Sequence, residues 1–498
     1  MRNVFLLPLV PAVAPLVAAI TLHKRDVPTV VELPLERRQT AAVLSRRDSS
    51  VGVSISNEGQ TGYLLNLTLG TPAQTFSLGL DTGSSDLWVN VANSSLCSAS
   101  DDPCKPFGLY NASASSDYKP VDAVFNATYA GGDNAYGSYA TDTLGLGSTK
   151  IDDFQFIIAE SSTDTQGIAG IGYKISTYEA EHENKEYDNL PYALVASGAT
   201  KSAAYSLWLN DIRSGTGAIL FGGVNKAKYH GDLQTLPIVP VYNRYYSLAI
   251  ALTEVSVQSS SSSSSYSDNL PLAVSLDTGT SLTALPESLV NKIYKDLNVT
   301  YVEKASAAYI ECDMTNKDYN VTYSFSGVEI TVGISELILD ATEEGFPTGT
   351  CIFGLVPSQE GLNLLGDTFL RSAYVVYDLE NNEISLANTN FNPGDDDILE
   401  IGTGTSAVPG ATLVPSAVST ATGNGATATG SVATGSTITA TITSTGDSTS
   451  TAGTTSAPTS GSGSDLTSST SSGLAAMSTT NAKHLLSGLA GAGILLMV

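Results

Sequence analysis

The sequence is poor in basic residues. Its 498 residues contain 23 Lys and Arg against 49 Asp and Glu, which gives a formal net charge of −26. The first 47 residues hold seven of the basic and three of the acidic residues, so the rest of the chain carries a net charge of −30. This balance argues against a nucleic-acid partner, because the phosphate backbone would be repelled. It suits a protein that works at low pH, where many carboxylates are neutral.

Cysteine and histidine are also scarce. The four cysteines, Cys97, Cys104, Cys312 and Cys351, allow three pairings, and the sequence by itself does not choose among them. A zinc site would need nearby histidines or Cys-x-x-Cys spacing, and the chain has neither. Nucleophile elbows, phosphate-binding loops and metal-ligand clusters are missing as well. We therefore predict no metal and no cofactor.

What the chain does contain is one motif in two copies. Residues 78–85 read Leu-Gly-Leu-Asp-Thr-Gly-Ser-Ser, and residues 274–281 read Val-Ser-Leu-Asp-Thr-Gly-Thr-Ser. The two aspartates, Asp81 and Asp277, lie 196 positions apart, each at the end of a short apolar run. Either one alone is readily explained as a turn residue. As a pair, two facing carboxylates share a proton, so one acts as base on a water while the other acts as acid.

The motifs resemble those of the pepsin-like aspartic proteases, in particular the fungal candidapepsin and yapsin branch. The resemblance covers about residues 62–390. It rests on Asp-Thr-Gly-Ser-Ser-Asp-Leu-Trp-Val at 81–89, on Asp-Thr-Gly-Thr-Ser at 277–281, and on Leu-Gly-Asp-Thr-Phe-Leu-Arg at 365–371, followed by Tyr-Val-Val-Tyr-Asp at 374–378. It implies an all-β, bilobal double β-barrel with a central active-site cleft.

The resemblance also assigns roles around the aspartates. Ser84 and Thr280 match hydroxyls that bond to the outer carboxylate oxygens, and Gly83 and Gly279 bring backbone N–H groups close to the carboxylates. The segments at 167–170 and 364–366 match the apolar-apolar-Gly segments that pack beside each catalytic loop.

Tyr129 matches the family tyrosine of the flap, which closes over substrate. The flap hairpin is expected around residues 125–133. The family usually has Gly after this tyrosine, whereas this chain has Ala130, which leaves the mobility of the flap open. The alternative interpretation is an ordinary strand tyrosine.

Two kinds of covalent modification are expected in a secreted member of this family. The resemblance implies one disulfide in each lobe, Cys97–Cys104 and Cys312–Cys351, and oxidised cysteines fit secretion. Six Asn-x-Ser/Thr sequons are candidates for N-glycosylation: Asn66, Asn93, Asn111, Asn126, Asn298 and Asn320. Among them, a glycan at Asn126 would crowd the cleft beside Tyr129.

The N-terminal residues are typical of a secreted precursor. Residues 1–19 predict a signal peptide; the alternative, a membrane anchor, is opposed by three prolines and the short length. Residues 20–47 contain three dibasic pairs and predict a propeptide that is cleaved after Arg47. The alternative is a solvated basic segment. In pepsin-like zymogens a basic propeptide lies across the cleft and places a cation between the two aspartates.

The body of the chain predicts two β lobes, residues 48–238 and 239–395, which meet near residues 236–241. Alternating apolar residues predict strands at Tyr63–Leu69 and 154–158, and the best helical candidate is Glu287–Leu297. The serine run at 259–265 is interpreted as a flexible surface insertion without a chemical role.

The C-terminal residues have a different composition. After Phe391 no aromatic residue of the Phe, Trp or Tyr type occurs, and Lys483 is the only Lys or Arg. We interpret residues 396–471 as a Ser/Thr-rich, O-glycosylated stalk. Residues 472–498 combine a spacer with a 14-residue apolar end, which predicts a GPI-attachment signal with Ser471 as the attachment site. The alternative is a frayed hydrophobic terminus.

Acidic residues concentrate near the presumed rim of the cleft. By analogy with yapsins they would attract Lys or Arg side chains of a substrate; the alternative is a solvated acidic loop. They are Asp101, Asp102, Glu179, Glu181, Glu183, Glu186 and Asp188.

Together these features predict a monomeric aspartic endopeptidase that hydrolyses peptide bonds of protein substrates at acidic pH. It would be tethered by a GPI lipid to the extracellular face of the plasma membrane, or to the cell wall. The competing hypothesis is a catalytically silent cell-wall mannoprotein that keeps a pepsin fold for binding or adhesion. Intact Asp-Thr-Gly motifs in both halves argue against the latter.

Overall fold

The computed structural model describes residues 30–37, 62–130, 132–340, 349–359 and 361–426. The predicted signal peptide, the cleavage site at Arg47, the attachment site at Ser471 and the apolar end lie outside these ranges. Within them the chain is mostly β and forms a closed barrel together with several sheets. This confirms the predicted pepsin-like fold class.

The strands of the first half begin in the predicted propeptide and end at the junction between the lobes. They are β1 (Val31–Arg37), β2 (Tyr63–Leu69), β3 (Gln74–Asp81), β4 (Leu87–Asn90), β5 (Lys119–Thr128), β6 (Asn134–Leu146), β7 (Thr149–Ser162), β8 (Ile168–Gly170), β9 (Ala204–Trp208), β10 (Thr216–Phe221), β11 (Gly223–Asn225) and β12 (Tyr229–Pro237).

The strands of the second half are shorter on average, and two more strands, β28 and β29, follow them along the chain. They are β13 (Ala249–Leu252), β14 (Glu254–Ser259), β15 (Ser263–Tyr266), β16 (Leu272–Leu276), β17 (Thr283–Leu285), β18 (Thr300–Val302), β19 (Ala307–Glu311), β20 (Tyr319–Phe325), β21 (Val328–Gly333), β22 (Ile338–Leu339), β23 (Thr350–Phe353), β24 (Leu355–Pro357), β25 (Leu364–Leu365), β26 (Ala373–Asp378), β27 (Glu383–Thr389), β28 (Ile398–Glu400) and β29 (Ala411–Leu413). The α-helices are α1 (Tyr178–Glu183), α2 (Leu190–Ala196), α3 (Glu287–Leu297) and α4 (Asp367–Leu370).

One large sheet joins the two halves. Its strand order is β29-β12-β27-β26-β9-β10-β1-β2-β3-β8-β4-β7-β6-β5, so strands from both halves alternate in its first part. Every residue of β9 and β26 is buried, because this part of the sheet is covered on both faces. The sheet therefore fixes the two lobes relative to each other below the cleft.

The predicted propeptide supplies one strand of that sheet. β1 lies between β10 and β2 and pairs antiparallel with both. Leu33 and Leu35 are buried in the shared core. This part of the propeptide is thus a structural element, whereas residues 38–47, which precede the predicted cleavage site, lie outside the described ranges.

Helix α3 confirms the one helix predicted from the sequence. Its apolar residues recur at three- and four-residue spacing, so they form one buried stripe (Leu289, Val290, Ile293, Tyr294 and Leu297). The helix ends at Asn298, which adopts the left-handed conformation with φ of 56° and caps the last turn.

Both expected disulfides are present. Cys97 and Cys104 close a short loop in the first half, with 5.2 Å between their Cα atoms. Cys312 and Cys351 link more distant segments of the second half, with a Cα separation of 5.0 Å.

The serine run at 259–265 forms a β-hairpin, in which β15 pairs with β14, and most of its residues are exposed, as expected for a surface insertion. One sequence interpretation is wrong. The stalk cannot begin at residue 396, because residues 396–426 pack along the folded protein and include two paired strands. We call residues 396–426 the C-terminal belt. Among the described residues, no helix has the length and apolar character needed to cross a membrane.

Candidate active site

The two aspartates lie at matching positions in the two halves. Asp81 is the last residue of β3, and Asp277 follows directly after β16. Both are buried, with exposures of 1% and 0%. Each strand pairs in parallel with a short strand of its own half, β3 with β8 and β16 with β25. These short strands are the apolar-apolar-Gly segments that the resemblance placed beside the catalytic loops.

A glycine closes each of these segments because the backbone of the loop is too near for a side chain. A Cβ atom on Gly170 would lie 2.6 Å from the backbone N of Asp86. A Cβ atom on Gly366 would lie 2.3 Å from the carbonyl oxygen of Thr280. The two loops are therefore held against their neighbouring segments by direct backbone contact.

The threonines of the two motifs connect the loops to each other. Thr82 donates its hydroxyl to the carbonyl oxygen of Leu276 at 2.8 Å, and Thr278 donates to that of Leu80 at 2.9 Å. Each hydroxyl also accepts the backbone N–H of the opposite threonine, at 3.0 and 3.1 Å. Four hydrogen bonds related by an approximate twofold axis thus fix the spacing of the two aspartates.

Within each loop, the carboxylate is held as expected. Gly83 N–H donates to Asp81 at 2.7 Å, and the Ser84 hydroxyl donates to its other oxygen. Gly279 N–H donates to Asp277 at 2.9 Å, and the Thr280 hydroxyl donates at 2.6 Å. The structure therefore brings together every residue that the sequence predicted for the dyad.

The two carboxyl groups are also hydrogen-bonded to each other, so they form one titrating unit. Burial, followed by the charge of Asp277, raises the pKa of Asp81 well above its ordinary value. Burial also raises the pKa of Asp277, but donors from Thr280 and Gly279 oppose this shift. The arrangement thus favours one proton and one negative charge shared by the pair.

Tyr129 lies at the end of β5, where the flap was predicted. Its backbone N–H donates to Asp133 and its carbonyl oxygen accepts from Gly132, which closes the tip of the hairpin. The side chain is buried, and its hydroxyl accepts a hydrogen bond of 2.8 Å from the indole N–H of Trp88. Burial, followed by the charge of Asp81, raises the pKa of Tyr129, which places the phenol close to the dyad.

Asp86 forms a buried junction beneath the flap. It accepts hydrogen bonds from the phenols of Tyr139 (3.0 Å) and Tyr187 (2.6 Å) and from the backbone N–H of Tyr178 (2.7 Å). These partners belong to β6, which forms the flap hairpin with β5, and to α1 and the loop that follows it. Burial raises the pKa of Asp86 to about 6 despite the three donors. This carboxylate therefore connects the catalytic loop to the flap and to α1.

The acidic residues near α1 are not equivalent. Glu179 is buried and holds Lys185 in an ion pair and the side chain of Gln155 at 2.7 Å, so it serves the fold. Glu183 is exposed. Glu181 is half-buried, and its Oε2 is enclosed without a hydrogen-bond partner among the described residues.

The remaining acidic residues also differ in their exposure and in their ion-pair partners. Glu186 is exposed. Asp188 pairs with Lys174 at 3.1 Å. In the first disulfide loop, Asp101 and Asp102 are exposed, and Asp102 lies 3.8 Å from Lys105. Most of the predicted acidic set is therefore solvated or paired within the fold.

The sequons also differ in exposure. Asn93, Asn111, Asn126 and Asn298 are exposed, whereas Asn66 and Asn320 are half-buried. The side chain of Asn66 accepts a 2.6 Å hydrogen bond from Ser77. Glycosylation at the six sites stays a prediction.

Sequence reasoning missed the roles of Thr82, Thr278, Trp88 and Asp86. The signal for the threonines was present, since the same residue follows both aspartates. Trp88 and Asp86 lie within the motif at 81–89, but their partners come from segments 40 to 100 residues away. No local pattern reveals such contacts.

Comparison with known proteins points in the same direction. The family model described as eukaryotic aspartyl protease matches residues 62–389.

Similar curated proteins come from several fungi. A probable aspartic-type endopeptidase opsB of Aspergillus oryzae is 51% identical, over 82% of this chain and 86% of that protein. Aspartic proteinase yapsin-3 of Saccharomyces cerevisiae is 33% identical, over 78% of this chain and 77% of that protein. An acid protease of Saccharomycopsis fibuligera is 34% identical, over 73% of this chain and 89% of that protein.

Proposed function

The chain belongs to the eukaryotic aspartyl protease family and is an aspartic-type endopeptidase, and we propose that it is secreted, GPI-anchored and active at acidic pH. The observation that carries the chemistry is the pair Asp81 and Asp277, hydrogen-bonded to each other at the meeting point of two matching loops.

The reaction follows from the shared proton. The ionised carboxylate takes a proton from a water molecule, whose oxygen attacks the peptide carbonyl carbon. The protonated carboxyl group donates to the carbonyl oxygen, so the tetrahedral intermediate forms without a charged oxyanion. The carboxyl group that took the water proton then protonates the leaving nitrogen, while the other carboxylate takes a proton from a hydroxyl group of the intermediate. The C–N bond breaks, the C=O bond re-forms, and the pair again holds one proton. Tyr129 and the flap exclude bulk water meanwhile.

The acidic range follows from the same pair. The active state carries one proton, and both carboxyl pKa values are raised by burial. At very low pH the pair gains its second proton and loses its base. As the pH rises through the upper pKa of the pair, the remaining proton is lost and the acid disappears. Activity is therefore expected to be bell-shaped and to fade towards neutrality.

Secretion and anchoring are supported by the composition of the two ends and by the oxidised cysteines. A monomer synthesised with a signal peptide would be cleaved after Arg47 and receive a GPI lipid near Ser471. Until that cleavage the precursor would be a zymogen. The O-glycosylated stalk would then begin after the C-terminal belt, beyond residue 426.

The activity is tested by digesting acid-denatured globin between pH 3 and 7 with and without pepstatin, an inhibitor of aspartic proteases. We expect an acidic optimum and complete inhibition, and the Asp277→Asn variant serves as the matched control. Pepstatin-resistant digestion, or a maximum above pH 8, would contradict the proposal. A folded protein without any digestion would favour the silent mannoprotein.

The anchor is tested by deleting residues 485–498. The truncated chain should appear in the culture medium as active enzyme, because only the attachment signal is lost. The matched control is the full-length chain, which should fractionate with membranes until phospholipase C releases it. A truncated protein that still sediments with membranes would argue against a GPI anchor.

For specificity we propose that Glu181 favours substrates with Lys or Arg beside the cut bond. It lies near Asp86, and α1 packs on the flap hairpin through a 5.4 Å contact between Tyr178 and Phe125. Burial, followed by the charge of Asp86, raises the pKa of Glu181 to about 7. The free enzyme therefore holds this carboxyl group neutral at pH 4, and a substrate cation would favour its ionised form. The preference should grow as the pH rises towards 6.

A peptide library cleaved at pH 4 and 6 tests this role. Glu181→Gln should reduce the preference for basic residues by about tenfold at pH 6, because a charge-assisted contact contributes about 1.5–3 kcal/mol. The matched control is the exposed Glu183, whose change to Gln should have little effect. An undiminished preference in Glu181→Gln, or a wild-type preference for large apolar residues, would remove this role.

A further inference from the structure

The C-terminal belt connects the two halves and ends beside the catalytic strand of the second. It starts on β11, where β28 pairs with residues 223–225. It continues along β12, where β29 pairs in parallel with residues 233–235. Val418 N–H then bonds to Ser326 at 2.9 Å, and Ala273 N–H bonds to the carbonyl oxygen of Thr422 at 2.8 Å. Ala273 belongs to β16, four residues before Asp277.

Asn424, near the end of the belt, binds the two strands that position Asp277. Its Oδ1 accepts the backbone N–H of Asn363 at 2.7 Å and the side-chain amide of that residue at 3.3 Å. Its Nδ2 donates to the carbonyl oxygen of Asn363 at 2.8 Å and to the hydroxyl of Ser275 at 3.2 Å. Both partners are buried and uncharged. One amide side chain thus bridges the segment before β25 and strand β16.

These contacts fall at the start of the pairing that holds the catalytic loop. Ser275 N–H donates to the carbonyl oxygen of Asn363 at 3.0 Å, and Asp277 N–H donates to that of Leu365 at 3.1 Å. Ser275 precedes Asp277 by two residues, so their side chains lie on the same face of the strand. A shift of Ser275 against Asn363 would therefore be transmitted directly to the carboxylate of Asp277.

In the first half, the corresponding strand is held against its neighbouring segment without a bridging side chain such as that of Asn424. There Gly79 N–H donates to the carbonyl oxygen of Gly167 at 2.9 Å, at the positions that correspond to Ser275 and Asn363. A Cβ atom on Gly167 would lie 2.1 Å from the carbonyl oxygen of Trp88, so the segment there packs by backbone contact. In the second half the two larger residues carry polar groups, to which Asn424 bonds together with Ser247 and Gly361.

The turn that carries Asn424 is built for this placement. Gly423, Asn424 and Gly425 have φ values of 93°, 51° and 76°, a region that glycine and asparagine adopt most readily. A Cβ atom on Gly425 would lie 2.6 Å from the ring of Tyr242, and one on Gly423 would lie 2.7 Å from the side-chain nitrogen of Asn363. Only the central residue of this turn therefore has room for a side chain.

We propose that Asn424 is a positioning residue for the endopeptidase reaction: through Asn363 and Ser275 it fixes the strand that presents Asp277. This proposal predicts an effect on catalysis that can be measured separately from any effect on stability. Losing the amide should lower kcat more than it raises KM, since substrate contacts stay intact while the carboxyl group of Asp277 is misplaced.

The test compares three variants of the full chain by kcat, KM and melting temperature between pH 3 and 6.5. Asn424→Ala should lower kcat about tenfold at every pH, with KM within about twofold, because the four hydrogen bonds of the amide are lost. Val408→Ala is the matched control. Val408 is a buried belt residue in a separate apolar cluster with Ile401 and Ala407, so its change should lower the melting temperature and leave kcat unchanged.

Asn424→Asp makes the test independent of folding yield. Below about pH 3.5 the introduced carboxyl group is neutral and can donate to the carbonyl oxygen of Asn363, so kcat should approach that of the wild type. At higher pH the introduced carboxyl group is ionised and can no longer donate to the carbonyl oxygen of Asn363. Two acceptors then face each other, so the ratio of variant to wild-type kcat should fall.

Two results would overturn the role of Asn424. One is an Asn424→Ala variant with wild-type kcat and a lower melting temperature, as expected for Val408→Ala. The other is a kcat ratio for Asn424→Asp that stays constant with pH. A fall in this ratio with rising pH, together with normal kcat in Val408→Ala, would support it.

Discussion

The two catalytic loops share the same motif and the same hydrogen bonds, but they have different surroundings. In each half an apolar strand ends in Asp-Thr-Gly, a hydroxyl two residues after the threonine holds the outer carboxylate oxygen, and a glycine-terminated segment pairs alongside. The threonine bonds between the loops are reciprocal. The groups that perform the chemistry are therefore supplied symmetrically.

What each half adds is not symmetrical. The first half adds the flap tyrosine, its partner Trp88 and the buried junction at Asp86, all of which concern access to the cleft. The second half adds Ser275, Asn363 and the belt, which concern the position of the strand before Asp277. The comparison suggests that one half controls entry of substrate and the other fixes the position of its catalytic strand. Four predictions test this division, from the largest expected effect to the smallest.

The largest effect is expected where the halves are equivalent. Asp81→Asn and Asp277→Asn should each lower kcat by at least about 10⁴-fold, because an amide cannot exchange the shared proton, and the double variant should be scarcely worse. Rates on a fluorogenic peptide, with circular dichroism as the control for folding, provide the measurement. Substantial turnover by either folded single variant would show that the two aspartates do not act as a unit.

The bonds between the loops should also respond equally. Thr82→Val and Thr278→Val each remove one hydroxyl and two of its hydrogen bonds, so we expect each to lower kcat by about 10- to 100-fold. Thr82→Ser and Thr278→Ser are the matched controls, since they keep the hydroxyl. If one position tolerated Val and the other did not, the two threonines would not be equivalent.

The position of the charge should make the two hydroxyls unequal. We expect the charge of the pair to lie mainly on Asp277, so Thr280→Ala should raise the lower pKa of the pair more than Ser84→Ala does. The expected shift of the acidic limb of the kcat profile is about one pH unit upward, since a hydrogen bond to a charged group contributes about 1.5–3 kcal/mol and one unit corresponds to about 1.4 kcal/mol. A larger shift in Ser84→Ala would place the charge on Asp81.

The smallest effect concerns the two disulfides, which differ in the length of chain they close. Cysteines 7 positions apart close the loop of the first half, and cysteines 39 positions apart close that of the second. Loop-closure entropy predicts that losing the Cys312–Cys351 bridge costs about 1.5 kcal/mol more unfolding free energy than losing the Cys97–Cys104 bridge. Paired Cys→Ser variants compared by urea unfolding give the difference. Equal losses would mean that strain or residual structure outweighs chain entropy.

Local patterns were enough for much of the molecule. The duplicated Asp-Thr-Gly motif identified both aspartates and their hydroxyl partners, because the chemistry requires these residue types at fixed spacing. The periodicity of apolar residues gave β2 and α3 with their observed bounds, since both elements bury one face against the core. The family resemblance supplied the disulfide pairing, which four cysteines alone leave open.

Composition did not predict the packing of residues 396–426, because a few specific contacts hold a segment made mostly of small polar residues. Residues 396–426 have no aromatic and few large side chains, which is why they were assigned to the stalk. In the structure, strand pairing satisfies their backbone groups and a few buried side chains such as Ile401 and Val408 attach them. Neither effect is visible in composition, because pairing depends on which edge is available in the folded protein.

The sequence by itself determined the reaction: two carboxylates, their hydroxyl partners and the loops that carry them follow from local motifs. The tertiary structure decided how those groups are held and distinguished. The threonine bonds, the junction at Asp86 and the contact of Asn424 with the strand of Asp277 each join residues from about 50 to about 200 positions apart. Such contacts depend on burial and on the meeting of distant strands, for which the order of residues along the chain holds no local signal.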